Sequence, residues 1–285
     1  MDPWTASLYA CILEAHTFKP GNIYAGRSGY ADLLRSGFLL GNNIHEMCEE
    51  TQQETYRGVG RYIHEAVIKR TQVVPTNTNL GIILLHIPLA LAFQRGGTQV
   101  REALFEIVHS TTVEDAVEVM HAIRESGASV GQPEQGPDVR SENGVKIVQE
   151  EGYTLLQLFE ISSSWDTIAS EWVHGFPITF SGAQDLLCGG SVLTLYLNIL
   201  AAHPDSLIRR KYGMECAEKV SCQAEKMLKN FSLVNIREWD HALFSQGINP
   251  GTTADLVSAS ICVALLKDDS VLERLIEQSR EICET

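Results

Sequence analysis

The chain has 285 residues, 44% apolar and 20% charged, which supports a sizeable packed core and excludes a disordered chain. Asp and Glu number 36 against 22 Lys and Arg, and this net charge of −14 excludes sequence-independent nucleic-acid binding, which needs clustered cations. Any anionic ligand must bind against the overall field of the protein.

In chain order, Asp2-Pro3 reads as an N-cap followed by Pro at the first helical position. Trp4, Leu8, Cys11, Ile12 and Ala15 recur at helical spacing, so a first helix is expected to about His16. The start lacks the basic and apolar regions of a secretory signal. Helices are expected over 30–43, over 54–70 and, nearly continuously apolar, over 79–95. The run from Ile82 to Phe93 is interrupted by His86 and Pro88 and is too short to span a bilayer. An amphipathic helix carrying Val113, Ala116, Val117, Met120 and Ile123 fades at Gly127, and a Gly- and Pro-rich loop runs from there to Gly144. Further helices are expected over 155–163, 165–173, 181–202, 207–212, 214–230, 253–266 and 271–283. No period-two alternation, internal repeat or Gly/Ser linker is present, so the expectation is an all-α single domain over 1–285 with buried central helices. Seven cysteines without a C-x-x-C pair read as free thiols of a soluble cytoplasmic protein.

Four polar islands sit at helix junctions. In the first, Glu14 and His16 precede Lys19-Pro20-Gly21-Asn22, where a Pro-Gly turn, a cation and an amide suit a phosphate, or simply stop a helix. The second, Thr76-Asn77-Thr78-Asn79-Leu80-Gly81, precedes the most apolar helix. Thr78 or Asn79 can cap that helix, or its free N–H groups can take an anion that Gly81 admits closely. The third is His203-Pro204-Asp205-Ser206, followed by Arg209, Arg210 and Lys211; Asp205 is a cap or a metal ligand, and the cations are a basic patch or a solvated face. In the fourth, Asn249-Pro250-Gly251-Thr252-Thr253-Ala254-Asp255, Thr252 or Thr253 is a cap and Asp255 a first-turn carboxylate suited to magnesium. The repeated format suggests helix N-termini converging on one nucleotide pocket. The nine histidines form no pair spaced for zinc, and His64, His86, His121 and His241 read as packed or exposed singly. No G-x-S-x-G, G-x-G-x-x-G or P-loop motif occurs.

In this order the islands, with Asp138-Val139 in the long loop, resemble the triphosphoribosyl-dephospho-CoA synthase family, and look closest to its archaeal-type, single-domain branch. The resemblance implies an all-helical, ATP-dependent transferase of cofactor biosynthesis. In that reaction the ribose 2′-hydroxyl of dephospho-CoA attacks C1 of the ATP ribose, and adenine leaves. It implies catalytic carboxylates among Glu14, Asp138, Asp205 and Asp255, with Asp205 and Asp255 holding Mg2+. It further implies nucleotide binding by Lys19, Gly21, Asn22, Asn77, Thr78, Asn79, Gly81, Arg209, Lys211, Asn249, Gly251, Thr252 and Thr253. Two departures stand out. The segment 126–131 is Ser-Gly-Ala-Ser-Val-Gly where many relatives are glycine-rich, and Asn79 and Leu80 stand where bacterial synthases carry His and Lys. An acceptor related to dephospho-CoA therefore stays open, as do a phosphoribosyl or kinase-like step in one-carbon cofactor assembly, an N-ribosyl hydrolase and a non-catalytic nucleotide-binding protein. Partners are expected to be small nucleotides, with no nucleic acid and no membrane. Buried helices such as the one over 79–93 fit packing within the chain or within a homodimer.

Overall fold

The computed structural model describes every residue except 75, 77, 78, 129–135 and 285, and all but the side chains of 98, 283 and 284 besides. Among the described residues it is all-α, with sixteen α-helices, one 3-10 turn over Gly97–Gln99 and no strand. In chain order the helices are α1 (Pro3–His16), α2 (Tyr30–Gln52), α3 (Val59–Val73), α4 (Leu80–Gly96), α5 (Val100–His109), α6 (Val113–Ser126), α7 (Glu142–Glu151) and α8 (Leu155–Ser162). They continue with α9 (Thr167–His174), α10 (Pro177–Leu187), α11 (Val192–Ala202), α12 (Ser206–Tyr212), α13 (Met214–Lys229), α14 (Leu233–Ser245), α15 (Gly251–Lys267) and α16 (Val271–Glu284). None of the described helices is long and apolar enough to cross a membrane.

Several boundaries differ from expectation. α2 continues past Asn43 because Ile44, Met47 and Cys48 keep a buried stripe going through an otherwise polar segment. The helix expected over 181–202 is two, α10 and α11. Gly189 sits at φ 104°, and Ser191 forms a capping box with Thr194 that restarts the chain. α5, α7 and α14 were not expected from the sequence.

The chain divides into two compact units, each drawn from two stretches: Met1–Leu8 with Leu34–Pro177, and Tyr9–Leu33 with Ile178–Thr285. In the first, α3 packs on α6, and α4 packs on α3, α5 and α9. α4 is buried from Ile82 to Ala92 on every face. Pro88 inside it has no N–H, so the carbonyl of Leu84, four residues back, loses its helical donor. The indole Nε1 of Trp172 on α9 donates to that carbonyl at 3.0 Å, which removes a penalty of about 1–3 kcal/mol for an unpaired buried group. His86 is fully buried, with Nδ1 2.8 Å from the Ser7 hydroxyl, so it is a packed and satisfied histidine.

In the second unit α15 is the central helix, contacted by α11, α12 and α16. Its residues are small enough for close approach: a Cβ added at Gly182 of α10 would stand 2.5 Å from Ser260 Oγ on α15. Along α15 every residue from Thr252 to Leu265 is buried except Asp255. A helix apolar on all sides belongs in a core, and the one interruption, Asp255, is half-buried near its N-terminal end.

Candidate active site

Three of the four polar islands lie in the second unit and meet there. The first follows α1. Lys19 is fully buried, and its Nζ donates to the carbonyls of Glu14, Thr17 (3.0 Å) and Ile23 (3.3 Å) and pairs with Glu14 Oε1 at 3.1 Å. The expected phosphate cation therefore turns inward. The last carbonyls of a helix lack intrahelical donors and carry the negative end of its dipole, and the ammonium satisfies both demands. Burial pushes the Glu14 carboxyl above its ordinary range, while Lys19 pulls it down.

Gly21 stands at φ 78°, and an added Cβ would sit 3.0 Å from the Ile248 carbonyl, Leu243 Cδ1 and Pro250 Cδ. Only glycine lets this turn lie against the 248–250 segment. Asn22 completes the junction, its Nδ2 donating to Asn249 Oδ1 at 2.9 Å and to the Pro250 carbonyl at 3.3 Å. Both Pro-Gly turns are thus one structure. The sequence reading missed what holds it. Asp240 of α14, 1% exposed, accepts from the Gly21 amide at 2.7 Å, the Tyr24 hydroxyl at 2.9 Å and Arg27 Nη2 at 2.6 Å. Arg27 also donates to the Asn22 carbonyl at 2.9 Å and lies over the rings of Tyr24 (4.4 Å) and Phe244 (4.1 Å). Burial and the Asp240 carboxylate push the Tyr24 phenol up. The Tyr196 hydroxyl of α11 donates to the Pro20 carbonyl at 2.8 Å. A signal existed: Ile236, Trp239, Asp240 and Leu243 share one buried stripe, and a carboxylate on such a stripe needs partners.

Asp205 joins α12 to α15. Its Oδ1 accepts from the Leu207 and Ile208 amides at 2.9 and 3.1 Å, capping α12, and its Oδ2 accepts from the amide and hydroxyl of Thr253, both at 2.8 Å. Four donors fill the four acceptor positions of the carboxylate, so the capping alternative is realised and no lone pair is left for a metal. Burial pushes this carboxyl up, against the downward pull of those donors. Beside it, Ser206 Oγ and Thr252 Oγ1 are 3.0 Å apart. Neither Thr252 nor Thr253 caps α15: the N-cap is Pro250, with no side-chain cap bond.

Because α15 begins at Gly251, Asp255 lies one position beyond the first turn, on the same face as Gly251 four residues earlier. Asn249, Gly251 and Asp255 are all half-buried, so a ligand can reach them. Arg209 and Lys211 fall in the last turn of α12, where cations complement the helix dipole; Arg209 is half-buried and Lys211 exposed.

The remaining candidates lie in the first unit. Asn77 and Thr78 are outside the described residues. Asn79 is the N-cap residue of α4 but makes no side-chain cap bond; it is 3% exposed, and neither amide atom has a hydrogen-bond partner among the described residues. Gly81 is half-buried in the first turn. Asp138 is clamped by Arg140, whose Nε and Nη2 donate to its two oxygens at 2.9 and 2.8 Å and hold its carboxyl below the ordinary range.

A solved structure from Archaeoglobus fulgidus, provisionally assigned as a triphosphoribosyl-dephospho-CoA synthase, superposes with a TM-score of 0.69 at 28% identity, covering 82% of this chain and 99% of that one. No curated protein matches significantly. The model of one family, described as ATP:dephospho-CoA triphosphoribosyl transferase, matches residues 3–274. With a match over nearly its whole length, the chain belongs to this transferase family.

Proposed function

We propose that the chain joins the ribose 2′-hydroxyl of dephospho-CoA to C1 of the ATP ribose with magnesium as cofactor. The O–C1 bond forms as the C1–N bond to adenine breaks, the hydroxyl proton is lost, the leaving adenine takes up a proton, and the triphosphate stays on the transferred ribose. The observation that carries this reading is the fused pair of Pro-Gly turns: Asn22 bonded to Asn249 and Pro250, with Gly21 packed beneath them. Such a junction presents Asn249, Gly251 and the N-terminal end of α15 together, where the positive end of the helix dipole favours phosphate oxygens.

Within this reading the carboxylates divide their work. Glu14 holds Lys19 under the first turn, and Asp205 holds α12 to α15; both position the junction without facing the ligand. Asp255, half-buried, is the carboxylate of this group suited to magnesium, which takes one or two carboxylates together with substrate phosphates. Bound there, magnesium neutralises triphosphate charge. The carboxylate charge of Asp255 also favours positive charge building on the ribose carbon.

The test is mass spectrometry of mixtures of protein, ATP, MgCl2 and dephospho-CoA. A triphosphoribosyl adduct and free adenine in equal amounts are expected. Adenine released equally without acceptor would make the chain a ribosyl hydrolase, and no adenine from any mixture would overturn the reading. Asp255→Asn is expected to lower turnover about 10²–10³-fold.

A further inference from the structure

Outside these islands, His64 and His121 do not stand singly as their spacing indicated. In the first unit His64 on α3 faces Glu118 and His121 on α6, and one donor atom from each of the three lies within 4.8 Å of the others. The two imidazole rings are 5.7 Å apart, centre to centre. His64 Nδ1 hydrogen-bonds Glu118 Oε2, and its Nε2 stands 3.3 Å from Glu125 Oε1. We propose that His64 Nδ1, His121 and Glu118 bind one divalent first-row transition ion, with Glu125 accepting the remaining N–H of His64.

The donor chemistry selects the ion. Two imidazoles and a carboxylate suit zinc, cobalt, nickel or ferrous iron, whereas magnesium prefers an all-oxygen shell. Bonds of roughly 2.0–2.2 Å in a tetrahedron place ligand atoms about 3.3–3.6 Å apart, so an ion must part the hydrogen-bonded His64 Nδ1 and Glu118 Oε2 and draw in the wider gaps of the trio, which reach at most 4.8 Å. Glu118 and His121 are three residues apart on one face of α6, a spacing that lets both reach one ion. Glu125 Oε1 stands 3.3 Å from His64 Nε2 without forming a hydrogen bond, so a small rotation of its exposed carboxylate would make it the outer carboxylate that metal-bound histidines ordinarily have.

The backbone frame is rigid where this matters. Gly60 of α3 lies so close to α6 that an added Cβ would stand 2.5 Å from Asp115 Cα, and its amide donates to Asp115 Oδ1 at 2.8 Å. His64 is one turn beyond Gly60, and Glu118 one turn beyond Asp115, so the crossing point sets their separation. A cavity of about 250 Å3, lined by Arg61, Thr112, Asp115 and Glu118 among others, reaches the cluster at Glu118 and gives an ion a way in. Without metal, His64 lies between two carboxylates; the ion displaces its Nδ1 proton, which leaves to solvent.

This site is independent of the nucleotide reading, and its test needs no turnover. The full chain, stripped with EDTA, is titrated with CoCl2 and followed by visible absorption and by bound metal per chain. One equivalent with d–d bands and no thiolate charge-transfer band is expected. Glu118→Gln and His121→Gln, both at partly exposed positions, should each weaken binding at least about tenfold, and Glu125→Gln about 10–100-fold. His64→Gln should abolish binding; should that variant not fold, the two partly exposed positions carry the test. No saturable cobalt binding by the wild-type chain, thiolate bands in the spectrum, or undiminished binding in Glu118→Gln and His121→Gln would each overturn the proposal.

Discussion

Asp205 accepts both the backbone amide and the hydroxyl of Thr253 through one oxygen, Oδ2, at 2.8 Å each, while its other oxygen caps α12. One buried carboxylate therefore ends one helix and begins another. Asp205→Ala removes a cap of about 0.5–2 kcal/mol and leaves buried donors on Thr253 at about 1–3 kcal/mol each. We expect a loss of about 3 kcal/mol or more in urea unfolding. Asp205→Asn keeps the cap but turns an amide donor toward two donors, so it should cost about 2 kcal/mol, whereas Thr253→Val should cost about 1 kcal/mol. Were Asp205 chiefly a metal ligand, Asp205→Asn would leave the unfolding midpoint unmoved and shift only the magnesium titration.

Gly21 and Gly26 both have positive φ, 78° and 90°, but differ in their surroundings. Around Gly21 three atoms wait at 3.0 Å, two of them in the 248–250 turn, whereas nothing lies within 4 Å of a Cβ at Gly26. Gly26→Ala should cost only the backbone strain, about 1–2 kcal/mol. Gly21→Ala adds overpacking of about 1–3 kcal/mol and separates the two turns, so turnover should fall with it. Equal unfolding midpoints for the two variants would show that the turns are not tightly packed.

The helices legible in the sequence were those whose apolar residues outnumber everything else, α4 and α15 above all. α14 escaped because Asp240 interrupts its stripe, and that aspartate is buried for the sake of Gly21, Tyr24 and Arg27, whose positions no local pattern reveals. α7 escaped because Gly144 reads as loop; there a Cβ would stand 2.0 Å from the Asp138 carbonyl, so the glycine serves packing inside a helix. The islands were visible as polar residues at helix junctions, but not which way each side chain turns. Lys19 has the composition of a phosphate ligand and the position of a helix-end staple, and only the carbonyls around it decide. His64 and His121 are separated by nearly the whole of α3 to α6, so their meeting is a property of helix packing alone.

Asp240 and Arg27 form a largely buried pair at 2.6 Å, with side chains 1% and 11% exposed. Removing one member of such a pair leaves an uncompensated charge, at about 3–5 kcal/mol. Asp240→Ala also strands the Gly21 amide and the Tyr24 hydroxyl. Arg27→Met keeps much of the stacking area between Tyr24 and Phe244 and should cost less. In the double variant no lone charge remains, so the two losses should fall short of adding by 1 kcal/mol or more, on the order of coupling seen between contacting residues. Strict additivity in a double-mutant cycle would show the pair to be incidental.

Glu14 supplies the pH dependence. Burial, the largest influence, raises its folded-state pKa above the ordinary 4.5, and the buried Lys19 offsets this only in part. The native state then holds a proton that the unfolded chain releases, so the Glu14 contribution is fully present below pH 4.5 and is lost as pH rises through the folded value. Glu14→Gln cannot ionise and isolates the effect. The stability of the wild-type chain relative to Glu14→Gln should be greatest below pH 4.5 and decline as pH rises, measured by urea unfolding at a series of pH values. A dominant Lys19–Glu14 ion pair would reverse the sign, since a lowered carboxyl gains stability above its unfolded pKa. The direction of that slope decides whether burial or charge pairing governs the floor of the first turn.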